Sequence, residues 1–289
     1  MLNTVRELMQ PPAGMAFDFS QPAGEPALMP AGGVSWRVFA NPVALFIGGV
    51  TAVLLELAEP SVRSGVWDHS GFQRDPVSRL RRTGFAAMMT VYGPRSATGQ
   101  LIARVVRMHE HVQGSTPGGV AYRANDPRLL DWVHATATFG FTQAYHRYVR
   151  PLSGAEQDAA FLEALHSARL YGATGAPRSS AEWETLLATT APVLEGSHIL
   201  NDFLNIMSKA PILPAPLRPL QRLLLRAAVE NTPEPVRSLP QLRRRGLRPG
   251  EALLVRALGR VAGWLPLGDT PPVQAARRLE GFEKQVSSD

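Results

Sequence analysis

Cysteine is absent from all 289 residues of the chain. This absence excludes disulfide frameworks, thiolate nucleophiles, zinc ribbons and iron–sulfur clusters. Any metal site built from side chains must therefore use histidine or carboxylate ligands.

The sequence also lacks a long hydrophobic run and a signal-peptide pattern. Its most apolar stretch, Pro42 to Leu55, is shorter than the roughly 20 residues that span a bilayer, so it predicts a buried core helix. The N-terminus has no basic region followed by an apolar core, and its prolines and glycines favour an irregular lead-in over residues 1–35. We therefore expect a cytoplasmic protein without a transmembrane segment.

Lysine is scarce, and the mildly positive charge is carried mostly by arginine. Thirty Lys and Arg residues against 24 Asp and Glu residues give a net charge of +6. Guanidinium groups keep their charge at physiological pH, but an excess this small identifies no partner. The segment that follows Leu242 is basic and amphipathic, which predicts a surface helix and leaves open a peripheral membrane contact. Its first arginines are Arg243, Arg244, Arg245 and Arg248.

Helical periodicity dominates the chain from residue 36 onward, with neither alternating strands nor an internal repeat. The pattern predicts an all-α protein with a single domain over residues 36–289. Capping residues support several helix starts: Asn41 and Asp75 each precede a proline, and Ser153 forms a capping box with Glu156. The expected helices are 42–57, 76–91, 97–114, 127–148, 155–171, 180–207, 216–230 and 251–264.

The stretch RVVRMHEHVQG, residues 104–114, contains two histidines with different expected environments. On a helix, His111 lies about 200° around the axis from His109 and points towards solvent. His109 points into the core, and a single core histidine is more often a hydrogen-bonded structural residue than a ligand. The apolar face that carries His109 also contains Ile102, Val105, Val106 and Val112.

The helix expected at 76–91 places two guanidinium groups and a hydroxyl on one face. Arg79, Arg82 and Thr83 occupy positions i, i+3 and i+4. Because Arg81 joins the same run, composition alone favours a solvated basic helix end. Apolar residues after Thr83 indicate that the rest of this helix is largely buried.

Four separate stretches stand out by their order and spacing. They are GVWDHSGFQRDPVSRLRRT at 65–83, RMHEHVQG at 107–114, YRANDPRLLDWVHAT at 122–136 and SARLYG at 167–172. Together they resemble the rubber oxygenases (latex-clearing proteins) and the related MpaB-type oxygenases. The resemblance is strongest over residues 40–210 and implies an all-α fold with a globin-like helical core around b-type haem. It also implies an oxygenase activity.

The resemblance implies that His109 is the proximal haem ligand, in agreement with its position on an apolar helix face. It also places Arg79, Arg82 and Thr83 on the distal helix. Rubber oxygenases have a lysine where this chain has Arg82, and a guanidinium group donates hydrogen bonds but offers no lone pair to iron. We therefore expect Arg82 to bond a haem propionate, bound oxygen or the substrate. Water or dioxygen then occupies the sixth iron position.

Other residues of the expected site stay open at this point. The glutamate proposed as a catalytic base in rubber oxygenases corresponds to Glu56 or Glu59. His69 and His134 match the MpaB-type pattern, and each is a candidate to line the cofactor pocket. For His134, packing in the core with a hydrogen bond is an equal alternative. The remaining histidines are expected to be structural: His146, His166 and His198.

Together these features predict a haem b-dependent oxygenase that uses dioxygen on an apolar, isoprenoid-like substrate. Oxidative C=C cleavage is the favoured reaction, with hydroxylation and peroxidation left open. A non-haem iron site is one alternative, although adjacent helical residues such as His109, Glu110 and His111 point apart and cannot form it. The other is a non-enzymatic helical protein, either a haem carrier or sensor or a basic-surface binder of membranes or nucleic acid. For the favoured oxygenase we expect no nucleic-acid partner.

Overall fold

A capping side chain followed by proline starts three of the long helices in the computed structural model. The side chains of Asn41, Asp75 and Asp126 each accept a hydrogen bond from a backbone N–H of the first turn. Proline in the first turn lacks an N–H that would otherwise have no acceptor, so the pair of residues defines the helix start. The structure describes residues 16–264 and 268–286, the last six of these by their backbone alone.

Within these ranges the chain forms 13 α-helices, which confirms the all-α prediction. One antiparallel hairpin joins β1 (Gln113–Ser115) to β2 (Ala121–Arg123), with Gly114 opposite Tyr122. The helices are α1 Val34–Phe39, α2 Pro42–Ala58, α3 Pro60–His69, α4 Pro76–Tyr92, α5 Arg95–His109, α6 Pro127–Tyr148, α7 Gly154–Tyr171, α8 Ser180–Thr190, α9 His198–Lys209, α10 Arg218–Asn231, α11 Glu234–Arg237, α12 Glu251–Ala262 and α13 Pro271–Val286.

Helix α2 lies at the centre of the fold and packs directly on α6. A Cβ atom on Gly48 would lie 2.6 Å from the Cα of Phe141, and one on Gly140 would lie 2.6 Å from the Gly48 carbonyl oxygen. The two backbones therefore meet at a point where neither helix can carry a side chain. On another side of α2, the Thr51 hydroxyl donates to the Ala228 carbonyl of α10 at 3.1 Å.

The apolar stretch 42–55 forms most of α2, and many of its side chains are buried in the main core. In the described part of the chain, no single helix has both the length and the apolarity to cross a membrane. Helices α2 and α3 meet those criteria only as a pair, with a bend of 111° between them.

Two expected helices are shorter than the sequence predicts. The helix expected at 97–114 ends at His109, because the chain turns there and enters the β1–β2 hairpin. The helix expected at 180–207 is interrupted by a 3-10 turn at Ala191–Val193, where Pro192 supplies no N–H to continue the ladder. The sequence reading also missed four helices, namely α1, α3, α11 and α13.

The described part of the N-terminal segment, residues 16–33, contains no helix and is attached to the body by Arg278 of α13. The Arg278 side chain is buried and donates hydrogen bonds of 2.7 to 2.8 Å to the carbonyls of Phe19, Glu25 and Tyr92. Because the guanidinium has five donors, it can satisfy three backbone acceptors at once. The irregular segment is therefore tied to both α4 and α13.

Candidate functional site

His109 is the last residue of α5 and is half-buried. Its Nδ1 atom is buried and has no hydrogen-bond partner. Burial and the positive charge of Arg79 lower the pKa of His109, and the nearby Asn125 side chain opposes that effect. The imidazole is therefore neutral at physiological pH, and a neutral ring has a nitrogen lone pair for a metal.

Asn125 is a residue of this site that the sequence reading missed. Its Nδ2 donates to the Val106 carbonyl of α5 at 3.0 Å, while its Oδ1 is buried without a partner. The hairpin brings it there, because Gln113 pairs with Arg123 and the Ala124 N–H donates to the Val112 carbonyl at 2.9 Å. Asn125 stands in the YRANDP stretch, but its spacing from His109 in the sequence gives no sign of this contact.

Arg79 extends from α4 into the same region and is half-buried. Its Nη1 donates to the Thr83 hydroxyl, which in turn donates to the Arg79 carbonyl at 2.9 Å. Burial lowers the pKa of Arg79, with Glu56 opposing and Arg82 reinforcing the shift. The Arg79 charge lowers the pKa of both Glu56 and His109, so Arg79 lies near each of these two side chains.

The other two residues of the same face of α4 lie nearer to solvent. Arg82 and Thr83 are exposed, whereas Arg79 is half-buried. Thr83 is joined to Arg79 by the hydrogen bond above, and the Arg82 charge acts on Arg79. The structure therefore brings together the three residues that the sequence placed on one helix face.

The two candidate glutamates at the end of α2 have different surroundings. Glu59 is buried, caps α3 by accepting from the Val62 N–H at 2.7 Å, and pairs with Arg128 at 3.3 Å. Its carboxylate is thus used by the fold. Burial raises the pKa of Glu56 to about 7, opposed by Arg79. Of the two, Glu56 has the surroundings of a proton-transfer group.

His69 and His134 lie in other surroundings. His69 is exposed, and its Nε2 lies 3.2 Å from the Tyr122 hydroxyl, so it links α3 to the hairpin. Burial lowers the pKa of His134 to about 4, and its ring centroid lies 5.1 Å from that of Tyr171. His134 also lines a small apolar cavity with Thr138 and Phe161. No hydrogen bond between described residues joins either histidine to His109.

The other four histidines are either exposed or hydrogen-bonded to the backbone. His111 is exposed in the turn after α5, so it points to solvent because the helix has ended and not because of helical phase. His146 accepts a hydrogen bond from the Leu152 N–H at 3.0 Å. His166 and His198 are exposed.

The structure thus has an all-α fold in which a half-buried histidine lies near an arginine, and that arginine lies near a carboxylate. The chain belongs to the family described as ER-bound oxygenase mpaB/B'/Rubber oxygenase, catalytic domain, whose model matches residues 36–264. The four stretches that carry the resemblance all lie within that match, and the predicted family membership is confirmed.

Two curated relatives are uncharacterized proteins, one from Mycobacterium bovis and one from Mycobacterium tuberculosis. Each is 29% identical to this chain over 116 residues, which are 39% of this chain. The matched part spans about half, 46%, of each relative's length. No solved structure matches the chain.

The donor set of the site fits a haem. In the described ranges, no three His, Asp or Glu side chains are grouped so that they could hold a metal ion. A haem iron takes only one or two protein ligands, and His109, whose buried Nδ1 has no hydrogen-bond partner, would provide one. Arg79 and Arg82 would provide cations for the haem propionates. The residues present therefore suit a b-type haem held by a single histidine.

Proposed function

We propose that this chain is a haem b-dependent oxygenase that cleaves a C=C bond of an apolar, isoprenoid-type substrate with dioxygen. Family membership supports oxygenase chemistry. The observation that carries the haem proposal is His109, a neutral imidazole whose buried Nδ1 has no partner and whose ring is held at a helix end. Arg79, Arg82 and Thr83 then border the side on which oxygen and substrate react.

In this proposal His109 holds the iron, and Asn125 orients its ring. Ligating histidines usually donate their second ring N–H to an oxygen acceptor, which fixes the tautomer and the ring plane. The Asn125 amide oxygen is the nearby acceptor without another partner. When bound, the haem supplies the redox centre for dioxygen activation.

Glu56 is the proposed base. A carboxyl group with a pKa of about 7 accepts and returns a proton near neutral pH, which suits proton abstraction from an allylic carbon of the substrate. Arg79 stabilises the carboxylate form by its charge. Because the proton is taken up and then released, the step needs no net source of protons.

Cleavage also has the simplest balance of electrons. One dioxygen and one C=C bond give two carbonyl groups, with both oxygen atoms in the products and no further reductant. Hydroxylation of the same substrate would require two electrons from a separate donor. The proposed reaction therefore needs only the substrate and dioxygen.

The first test is haem content. We expect protein purified from haem-supplemented cells to show a strong Soret band and the pyridine haemochromogen spectrum of haem b. His109→Ala should lose the haem, whereas His111→Ala should keep it because His111 is an exposed turn residue. Wild-type protein without haem, or a His109→Ala variant that retains it, would refute the haem assignment.

A second measurement separates an oxygenase from a haem carrier or sensor. Haem-loaded protein is mixed with a short polyisoprenoid, and dioxygen uptake is followed together with carbonyl products by mass spectrometry. We expect uptake and carbonyl formation in a one-to-two ratio. Haem binding without dioxygen uptake on any alkene tested would assign the chain to the non-enzymatic alternative.

A further inference from the structure

Helix α12 packs on the body of the protein through one face only. Val255, Gly259 and Ala262 are buried on that face. A Cβ atom on Gly259 would lie 2.2 Å from the Tyr148 carbonyl oxygen, so the helix backbone rests directly on the end of α6. The orientation of α12 around its own axis is therefore defined by close contact.

The opposite side of α12 exposes large apolar side chains, which we call the apolar face. Leu253 is 68% exposed, Leu254 is 54% exposed and Val261 is 53% exposed. These three lie within an arc of about 100° on a helix with 3.6 residues per turn. Trp264, two residues after the helix, is 84% exposed. Adjacent exposed apolar residues of this size mark an interaction surface.

Arginines border the apolar face. Arg256 and Arg260 are exposed on α12 itself. Glu251, in the first turn of the helix, is paired with Arg226 at 2.6 Å and so offers little charge to a partner. Immediately before the helix, four more exposed arginines follow one another closely in the chain: Arg243, Arg244, Arg245 and Arg248.

We infer that α12 docks on an anionic lipid surface, with the apolar face in the interfacial region and the arginines on the phosphate groups. A helix with an apolar side, a basic border and an exposed tryptophan has the composition of interfacial membrane helices. Nucleic acid would use the arginines but not the apolar side chains. A second copy of the chain would bring the arginines of two identical faces together, which is repulsive.

The lipid-binding surface is distant from the candidate oxygenase site, and the inference does not depend on the proposed function. The Asn41 side chain, at the start of α2, donates to the Gly259 carbonyl of α12 at 2.9 Å. Glu56 lies near the other end of α2, which at 1.5 Å per residue is roughly 20 Å away. Changes to the apolar face should therefore leave haem binding as it is.

The test is flotation of the full-length protein with vesicles of 30% phosphatidylglycerol in phosphatidylcholine, compared with pure phosphatidylcholine. We expect binding to the anionic vesicles and little to the neutral ones. The triple variant Leu253→Ser, Val261→Ser and Trp264→Ser should lower the partition coefficient at least about tenfold, because three apolar side chains no longer enter the interface. The matched control, Leu162→Ser with Val193→Ser, changes exposed apolar residues elsewhere and should bind like wild type.

The basic border is tested by replacing Arg243, Arg244 and Arg245 with glutamine. Each arginine near an anionic surface contributes about fivefold to binding, and the contribution falls with salt. We expect weaker vesicle binding, a smaller salt dependence and unchanged haem content. In the wild type, brominated lipid should quench Trp264 fluorescence.

Four results would overturn the inference. They are the absence of binding to anionic vesicles, equal binding to both vesicle types, full binding by the triple serine variant, and a lipid-independent dimer that the triple serine variant abolishes. The last result would assign the apolar face to a second copy of the chain. If the first result is found and the protein binds duplex DNA, the arginines are assigned to nucleic acid. Haem content, measured on the same samples, reports separately on the proposed oxygenase site.

Discussion

Replacing Glu56 with glutamine should stabilise the protein at alkaline pH. In the folded protein the pKa of Glu56 is raised to about 7, whereas an unperturbed glutamate titrates at 4.5. Between these two pH values the folded state binds a proton that the unfolded state does not, so wild-type stability falls as the pH rises through this window. The difference in pKa corresponds to about 3 kcal/mol of unfolding free energy, present at pH 4.5 and lost by pH 8. Glutamine does not ionise and avoids this loss.

The assay is urea unfolding of wild type and Glu56→Gln at pH 5 and pH 8, at matched haem content. We expect the variant to gain about 2 to 3 kcal/mol relative to wild type between these pH values. Glu59→Gln is the control, because it weakens the cap of α3 and the pair with Arg128 and should destabilise. If wild type and Glu56→Gln keep a constant difference across the window, Glu56 ionises as an ordinary surface acid and cannot be the tuned base.

The same variant tests the proposed chemistry. If Glu56 is the base, Glu56→Gln should lower kcat by about 100-fold or more while leaving the haem spectrum intact. Wild-type activity should rise with pH through about 7, where the carboxylate form becomes dominant. A variant that keeps full activity would exclude the proton-transfer role without affecting the haem assignment.

Three further predictions concern Arg82, Asn125 and Gly140. The ferric haem protein should be high-spin, because Arg82 has no lone pair for iron. The Arg82→Lys variant should show a low-spin form at high pH. Optical and electron paramagnetic resonance titrations test this, and a low-spin wild type would contradict it. Asn125→Ala should speed haem loss to apomyoglobin about 10- to 100-fold by removing the acceptor beside His109. Asn125→Asp keeps an acceptor and should lose haem more slowly than Asn125→Ala. Equal loss rates in wild type and Asn125→Ala would show that Asn125 does not orient the His109 ring. Gly140→Ala places a methyl group against the Gly48 carbonyl and should lower the free energy of unfolding in urea by about 1 to 3 kcal/mol. The control is Gly154→Ala, which lies at an open position. Equal effects of the two substitutions would show that the α2–α6 contact relaxes.

Signals that act between near neighbours were predictable from the sequence. The starts of α2 and α4 follow from Asn41 and Asp75 before proline, and the start of α7 follows from the Ser153 and Glu156 capping box, which the structure contains. The family stretches lie within the matched domain. The helix starts were predictable because a cap is a hydrogen bond between residues two or three apart in the sequence.

Contacts between distant segments were decided by the tertiary structure. Glu56 and Glu59 are the same residue type three positions apart, and only the bonds to Val62 and Arg128 show which of them the fold uses. The hairpin, not helical phase, ends α5 at His109 and brings Asn125 beside it.

The sequence by itself determined the helical class, several helix starts and the amphipathic character of α12, because each depends on residue type and on interactions within a turn or two. Which face of α12 stays exposed depended on Gly259 meeting Tyr148, 111 residues earlier in the chain. The nearness of Arg79 to Glu56 and to His109 likewise depends on three separate helices. Burial and charge at such a site are set by packing between segments far apart in the chain, and spacing along one helix carries no information about them.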